Sequence, residues 1–429
     1  MAAGRSGRLV GAVAIALIAA YAIVWAQVST LNIGRSDFTS TYVGGTLIRD
    51  GQRAHLYDET AQQTLHARLI LPDTEGNLPF VDAPVAAALA APVTFLDLRT
   101  AYRVWSVLQL AVLIVAIVIA VRSAPWPRKT PRSWKVAAGA AALAGAGSLV
   151  ELMQAQWGSV TALGLALAYR DWRTGHHARG AALLVVAAAV AKPHLAVGLV
   201  AFMIGWRQRR VIAGALAGAV AMGAASVAVA GPAGVGQFFS LALTSNTRWQ
   251  LRTFAGFVGI PGSFLGNGVA PQVIGAAGSV AALVAAGYLG WLVRRQANRL
   301  DVALAGTAVL SLLAAPHAGT HDLVMLAPAM AWCVAVGARP VVLAGWGLLS
   351  AAAFISLGDG AATPPGQLVP WVLIAAAVVA CRAARNTPVA ADLPLTSGSD
   401  EAALGSLADG VHRRGGVTGR VLPLQGRSG

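Results

Sequence analysis

Asp37 is the acidic side chain best placed for chemistry, because it follows the first long apolar segment by only a few residues. A carboxylate held beside an acceptor hydroxyl can take up its proton while a new bond forms, which is general-base catalysis. Ser36 and Asp37 also precede a helical pattern that starts near Phe38, and Ser and Asp are favoured helix caps. A cap and a general base are compatible roles, so the sequence leaves both open.

Lys192 and His194 flank a proline where two short apolar segments meet, at about 180–191 and 193–206. Helices that are broken at membrane depth usually line a polar cavity. One interpretation is that the Lys192 ammonium binds a lipid phosphate as a point charge, with His194 sharing that role. The other is that the long lysine side chain extends to the outer membrane interface.

His317 and His321 lie between two apolar segments, and Asp322 follows directly. Two histidines four residues apart on a helix can bind a metal ion. Pro316 and Gly319 disfavour a regular helix here, so we predict no metal. We expect the histidines to hydrogen-bond a phosphate or a sugar, and the alternative is ordinary loop polarity.

The remaining unusual polar groups fall on two outward turns. They are Glu151, Gln154 and Gln156 on one turn, and Asn246, Arg248 and Arg252 on another. Either set could contact sugar hydroxyls or simply solvate a loop. Placing an ionisable group deep in a bilayer costs about 2.5–3.5 kcal/mol on insertion scales. Repeating that cost on one side of the membrane indicates a shared cavity that faces outward.

The elements that must position these residues are transmembrane helices. Apolar residues make up 56% of the 429-residue chain and charged residues only 11%, against about 25% in soluble domains. We expect an all-α polytopic membrane protein with about twelve spans, at about 8–28, 99–122, 136–151, 158–170, 180–191, 193–206, 211–230, 271–293, 302–315, 322–338, 340–357 and 368–384.

Charge predicts which way these spans run. Clusters of Lys and Arg fall on one side of the alternating spans, so both termini are expected in the cytoplasm. The chain carries a net charge of +15, yet residues 30–82 carry seven acidic residues and four arginines. This first loop is therefore expected outside the cytoplasm. The basic residues belong to short loops between spans, which argues against nucleic-acid binding.

The predicted organisation is one membrane domain, 1–385, followed by a tail, 386–429. Short interfacial helices are expected at 40–48 and 59–70 in the first loop, and a short re-entrant or surface segment at 84–96. A second outer loop is expected at 231–270. The tail is rich in Gly, Ser and Asp and poor in aromatic residues, so we predict that it is disordered and cytoplasmic.

Several motifs in the chain resemble those of the family 87 glycosyltransferases, membrane enzymes of the GT-C superfamily. The first-loop pieces are Ser36-Asp37-Phe38, Tyr42-Val43-Gly44-Gly45, Asp50-Gly51 and Leu56-Tyr57-Asp58. The later pieces are Gln156-Trp157-Gly158, Lys192-Pro193-His194, Ala315-Pro316-His317 and His321-Asp322. The resemblance spans most of residues 8–340.

The resemblance implies a GT-C fold and an inverting transfer of a sugar, most often mannose, from a polyprenyl phosphate to a glycolipid or lipoglycan acceptor. This places the enzyme in the plasma membrane with its active site outside the cytoplasm, among membrane lipids. Asp37 would activate the acceptor hydroxyl. Lys192, His194, His317 and His321 would steady the donor phosphate, and Gln156, Arg248 and Arg252 are further candidates for donor binding. The residue after Asp37 is not a second acid, so neither a metal nor another cofactor is implied.

Two other functions stay open at this level. Similar proteins transfer arabinofuranose from polyprenyl-phosphate-arabinose, and none of these residues separates the two sugars. A transporter or lipid flippase is the alternative from another class. Transporters usually show repeated halves with paired broken helices, whereas the sequence has one broken pair, near Lys192, and no matching partner.

Overall fold

Helices make up all of the regular secondary structure of the described residues, and no strand occurs among them. The computed structural model describes residues 2–70, 78–244, 250–337, 339–357 and 363–386. The predicted all-α class is therefore confirmed. Arg248 and the predicted tail from residue 387 onward lie outside the described residues.

The described residues form eighteen α-helices. The N-terminal helices are α1 (Ala2–Ala26), α2 (Thr30–Gly34), α3 (Phe38–Arg49), α4 (Glu59–Leu69), α5 (Pro84–Ala90) and α6 (Leu98–Ser123). The central helices are α7 (Arg132–Leu143), α8 (Ala146–Gln154), α9 (Gly158–Arg173), α10 (His177–Ala191), α11 (Val197–Trp206) and α12 (Arg209–Thr244). The C-terminal helices are α13 (Gly259–Leu265), α14 (Val269–Arg295), α15 (Leu300–Ala314), α16 (Ala327–Val336), α17 (Arg339–Ile355) and α18 (Pro365–Asn386).

Short 3-10 helices connect or extend several of these elements. They are Arg53–His55, Ala91–Phe95, Pro193–Ala196, Leu251–Thr253, Ala297–Arg299 and Thr320–Leu326. The piece at Pro193–Ala196 joins α10 to α11, and the piece at Thr320–Leu326 leads into α16. Both begin where the chain turns at the same end of the helices, which is where the polar side chains gather.

The number of membrane spans differs from the prediction. Within the described residues, six helices are long and apolar enough to cross a membrane, or seven if α7 and α8, bent by 49° at their junction, count as one span. Five further apolar helices have only 10 to 17 residues. A helix of 17 residues is about 25 Å long, less than the roughly 30 Å of a hydrocarbon core. Twelve complete spans are therefore not confirmed.

Two arginines join neighbouring helix ends. Arg173 Nη1 and Tyr169 Oη lie 2.7 and 2.5 Å from Asp301 Oδ1, which joins the end of α9 to the start of α15. The Arg339 guanidinium lies over the Trp134 ring, 4.8 Å from its centroid, which joins the start of α17 to the start of α7.

The predicted first loop packs over the opposite ends of the helices. Its α3 and α4 correspond to the short helices expected at 40–48 and 59–70. Phe38, Tyr42 and Phe80 are buried with Tyr102 of α6 and Trp157 at the start of α9, in a cluster separate from the main core. Burying these large rings fixes α3 on the bundle, because each removes a large apolar area from water.

The segment expected as a second outer loop, 231–270, is partly helical. α12 continues to Thr244 beyond a kink at Gly231, whose φ of 72° is in the left-handed region. Pro232 follows and cannot supply a backbone N–H to the helix, which accounts for the kink. The described part of the segment also contains α13.

Candidate active site

Asp37 is held at the start of α3 by two glutamines. Its backbone N–H donates to Gln154 Oε1 over 3.0 Å, and Gln156 Nε2 donates to Asp37 Oδ2 over 2.7 Å. Asp37 occupies the N-cap position of α3, but its carboxylate makes no capping hydrogen bond. The carboxylate, 23% exposed, is therefore oriented from outside its own helix and stays open to a reactant.

The two glutamines lie on a tight turn between α8 and α9. Ala155 ends α8 in the left-handed region, with φ 50° and ψ 48°, which costs about 1–2 kcal/mol for a residue with a Cβ. Glu151 stabilises the turn, because its Oε1 accepts hydrogen bonds from the Ser159 N–H over 2.8 Å and the Ser159 hydroxyl over 3.0 Å. This turn, which the Glu151 hydrogen bonds stabilise, places the side-chain amides of Gln154 and Gln156 next to Asp37.

Lys192 lies in a second polar group, at the break between α10 and α11. Its Nζ is 2.9 Å from Asp322 Oδ1 and 2.6 Å from His321 Nε2. The Lys192 side chain is 10% exposed and that of Asp322 is fully buried. Pro193 disfavours the helical conformation at Lys192, so α10 ends there and the side chain turns inward. Lys192 thus forms a buried ion pair and does not extend to an interface.

Asp322 is held by more than the lysine. Its Oδ2 accepts a hydrogen bond from the Gly319 N–H over 2.8 Å, and its Oδ1 is 3.3 Å from His321 Nε2. A Cβ at Gly319 would come within 2.6 Å of the His321 ring, so only glycine leaves room for that ring here. The close packing fixes the histidine between two carboxylates.

His321 connects the two groups. Its Nδ1 is 4.0 Å from Asp37 Oδ2, while its Nε2 faces Lys192 and Asp322. A carboxylate able to accept a proton therefore lies beside a cation and an imidazole. We call Asp37, Gln156, Lys192, His321 and Asp322 the polar cluster. Among the residues that the structure describes, no group of three or more His, Cys, Asp or Glu side chains is arranged to hold a metal ion.

His194 and His317 lie beside this cluster, and their rings are in contact. The ring centroids are 3.8 Å apart and the ring planes are tilted by 45°, and the Phe254 ring centroid lies 6.3 Å from that of His317. Burial, followed by the positive charge of Lys192, lowers the pKa of His317 to about 4. His194 Nε2 is buried without a hydrogen-bond partner in the described part of the chain. A neutral His317 can donate or accept one hydrogen bond but adds no charge.

The structure brings most, though not all, of the predicted site residues together. Asp37, Gln156, Lys192 and His321 meet directly, and His194 and His317 lie next to them. Arg252 is exposed, and its Nε donates to Gln250 Oε1 over 2.9 Å. No hydrogen bond or ion pair joins it to the polar cluster in the described residues.

Sequence reasoning missed part of the site. The position of Asp322 beside His321 gave a signal for its role, whereas its pairing with Lys192 depends on the fold. No feature of the sequence marked Asp82 as a site residue, although its charge interacts with those of Lys192, Asp37, Asp322 and His321. Burial raises the pKa of Asp82 to about 7, with the neighbouring carboxylates adding to that rise.

Comparison with known proteins gives one match, to a protein family. The model of glycosyltransferase family 87 matches residues 80–316, more than half of the chain. The matched region includes Asp82, Gln156, Lys192 and His194, whereas Asp37 and His321 lie outside it. No curated protein and no solved structure matches the chain. On the family match, the chain belongs to glycosyltransferase family 87.

Proposed function

We propose that this family member is an inverting mannosyltransferase with a GT-C fold. It transfers mannose from polyprenyl-phosphate-mannose to a glycolipid or lipoglycan on the outer face of the plasma membrane. The observation that carries the proposal is the 4.0 Å separation of Asp37 Oδ2 and His321 Nδ1. It sets a carboxylate that can accept a proton beside side chains that can bind a phosphate.

The reaction follows from these two neighbouring parts. The acceptor hydroxyl oxygen attacks the anomeric carbon of the donor sugar, and the bond from that carbon to the phosphate oxygen breaks. The polyprenyl phosphate leaves with the electron pair of that bond. Asp37 takes the proton of the acceptor hydroxyl as the new glycosidic bond forms. Because this is a single displacement, the configuration at the anomeric carbon is inverted.

Lys192 and His321 are the groups that we assign to the leaving phosphate. Negative charge grows on the bridging oxygen as the glycosyl bond breaks, and fixed donors aimed at that oxygen lower the barrier. Lys192 is already oriented by Asp322 and His321, so little rearrangement is needed when the phosphate arrives. His194 and His317 are expected to add hydrogen bonds from the side.

The position of the polar cluster supports an active site outside the cytoplasm. Arg173 lies at the end of α9, whereas Gln156 of the cluster directly precedes the start of the same helix. Lys and Arg are enriched in cytoplasmic loops. We therefore place both termini in the cytoplasm and the cluster at the outer face.

The donor class follows from what the chain lacks. The sequence has neither a phosphate-binding P-loop nor a glycine fingerprint for a dinucleotide, so a lipid-linked sugar is the favoured donor. Mannose is proposed on the family's usual preference, with polyprenyl-phosphate-arabinose as the competing donor.

The test is a transfer assay in membranes that contain the full chain. Radiolabelled polyprenyl-phosphate-mannose and polyprenyl-phosphate-arabinose are supplied separately with membrane glycolipids. We expect transfer of mannose by the native chain and at least 100-fold less by Asp37→Asn, because Asn cannot accept the proton. Asp58→Asn is the matched control, since Asp58 caps α4 on the same loop and Asn caps equally well.

Two outcomes would contradict the proposal. Transfer of arabinose without transfer of mannose would overturn the sugar assignment and leave the mechanism intact. Equal transfer by the native chain and Asp37→Asn, with Asp58→Asn unchanged, would remove Asp37 from the chemistry.

A further inference from the structure

Asp82 belongs to a rigid part of the first loop. Tyr57 Oη donates to the Asp82 carbonyl over 2.8 Å, and the Phe80 N–H donates to Gln62 Oε1 over 2.6 Å. Phe80 is fully buried against α3, and Ala83 is buried directly after Asp82. The backbone on both sides of the aspartate is therefore fixed, and so is the direction in which its side chain leaves.

The carboxylate itself has no partner among the residues that the structure describes. It makes no hydrogen bond and no ion pair, although the side chain is only partly exposed. Two other carboxylates near it have such partners: Asp322, which is fully buried, has Lys192 and a backbone N–H, and Asp37, which is partly buried, has Gln156. An unpaired carboxylate at a partly buried position costs stability. Such a cost is commonly found where a ligand supplies the missing partner.

The surroundings identify what kind of ligand fits. Asp82 interacts through its charge with Lys192 and His321, and also with the carboxylates of Asp37 and Asp322. Phe80 and α5, which flank Asp82 in the chain, both pack against α3, the helix that Asp37 precedes, so Asp82 lies near the space assigned to the donor. A phosphate would be repelled by Asp82 and attracted by Lys192. A sugar hydroxyl, in contrast, is a hydrogen-bond donor that a carboxylate accepts well.

We propose that Asp82 binds hydroxyl groups of the transferred sugar, and so separates recognition of the sugar from recognition of the phosphate. This inference rests on the proposed function. Lys192 and His321 then bind the phosphate, Asp37 faces the acceptor, and Asp82 accepts hydrogen bonds from the sugar hydroxyls. The raised pKa of Asp82 is consistent with a group that lacks a partner in the free protein.

The test compares two ligands that differ only in the sugar. Initial rates with polyprenyl-phosphate-mannose give KM and kcat, and polyprenyl phosphate without sugar is titrated as a competitive inhibitor to give its inhibition constant. For Asp82→Ala we expect the donor KM to rise about 10- to 100-fold, the range for a lost hydrogen bond to a charged group. The inhibition constant of polyprenyl phosphate should stay within about twofold of native.

Controls keep the inference falsifiable. Asp82→Asn retains an acceptor oxygen and the side-chain volume, so it should fold and raise the donor KM by a smaller factor than Asp82→Ala. Asp58→Asn should change neither constant. If both ligands bind more weakly by the same factor, Asp82 acts on the phosphate or on the fold, and the inference is wrong. A fall in kcat with an unchanged donor KM would overturn it as well.

Failure of the proposed function would look different. In that case the native chain would transfer no sugar from either polyprenyl-phosphate donor, before any variant of Asp82 is compared. Normal transfer by the native chain, together with a donor KM that Asp82→Ala leaves unchanged, would refute only the role of Asp82.

Discussion

Replacing Lys192 with methionine should destabilise the protein by about 3 kcal/mol. Asp322 is fully buried and would lose the ammonium 2.9 Å from its Oδ1. Removing one partner of a buried ion pair typically costs about 3–5 kcal/mol. The lower end applies here, because Asp322 keeps the Gly319 N–H at 2.8 Å and His321 Nε2 at 3.3 Å.

A second ion pair in the same chain provides the matched control. Asp171 is also fully buried, but its partner Arg179 is 56% exposed. When Arg179 is replaced with methionine, Asp171 keeps two hydrogen bonds from Arg170, of 3.0 and 2.9 Å. We therefore expect Arg179→Met to cost much less than Lys192→Met, because exposed ion pairs contribute little to stability.

The assay is reversible unfolding of the purified protein in mixed micelles by a denaturing detergent, followed by helicity. Lys192→Met, Asp322→Asn and the double variant complete a double-mutant cycle. We expect a coupling energy of about 2 kcal/mol, within the range for contacting residues. A cost for Lys192→Met as small as that of Arg179→Met would show that water already satisfies Asp322. Additive single variants would show that the pair does not interact, and either result refutes the buried-pair assignment.

Three further predictions concern other parts of the chain. Gln156→Ala should lower kcat about 10-fold or more in the transfer assay, because it removes the 2.7 Å hydrogen bond that orients the Asp37 carboxylate, the proposed general base. An unchanged kcat would contradict this. Gly205→Ala should destabilise the protein by several kcal/mol in the unfolding assay, because its Cβ would lie 1.9 Å from the Gly287 carbonyl oxygen. Gly223→Ala is the control: its Cβ would meet nothing within 4 Å, so the change should be neutral or slightly stabilising. Burial lowers the pKa of His317 to about 4, against about 6.5 in an unfolded chain. As pH falls from 6.5 towards 4, the unfolded state therefore binds a proton that the folded state does not, and the folded state loses stability. Thermal unfolding across that window should show a weaker pH dependence for His317→Gln than for the native chain, and identical slopes would argue against a buried neutral histidine.

The sequence predicted the residues of the polar cluster better than it predicted the helices around them. Asp37, Lys192 and His321 stand out because charged and titratable side chains are rare beside apolar segments and are expensive there. The inference that these residues lie on one side of the membrane requires only that successive apolar segments alternate in direction. That inference does not depend on whether every segment is long enough to span a bilayer, so it stays a prediction despite the smaller number of spans.

Other features depend on contacts that no local pattern encodes. Arg252 was chosen for its charge and its loop, but residue type does not reveal whether a side chain points into a cavity or into solvent. Asp82 lies far from Lys192 in the chain, and the packing of Phe80 against α3 brings it into the site. Glu151 acts through a turn that forms only when α8 and α9 meet. Each of these depends on the tertiary fold.

The short helices have a consequence for the bilayer itself. The segment Pro193–Trp206 exposes Val200 and Ile204, and at about 1.5–2.0 Å per residue its 14 residues reach only about 20–25 Å. Lipids that contact so short an apolar wall must compress their tails or tilt, since a short hydrophobic stretch thins the membrane around it. The headgroups next to the Lys192 break are then drawn towards the middle of the bilayer. If the donor is lipid-linked, as proposed, its sugar would enter at the depth of the polar cluster, and the rate of transfer should depend on membrane thickness.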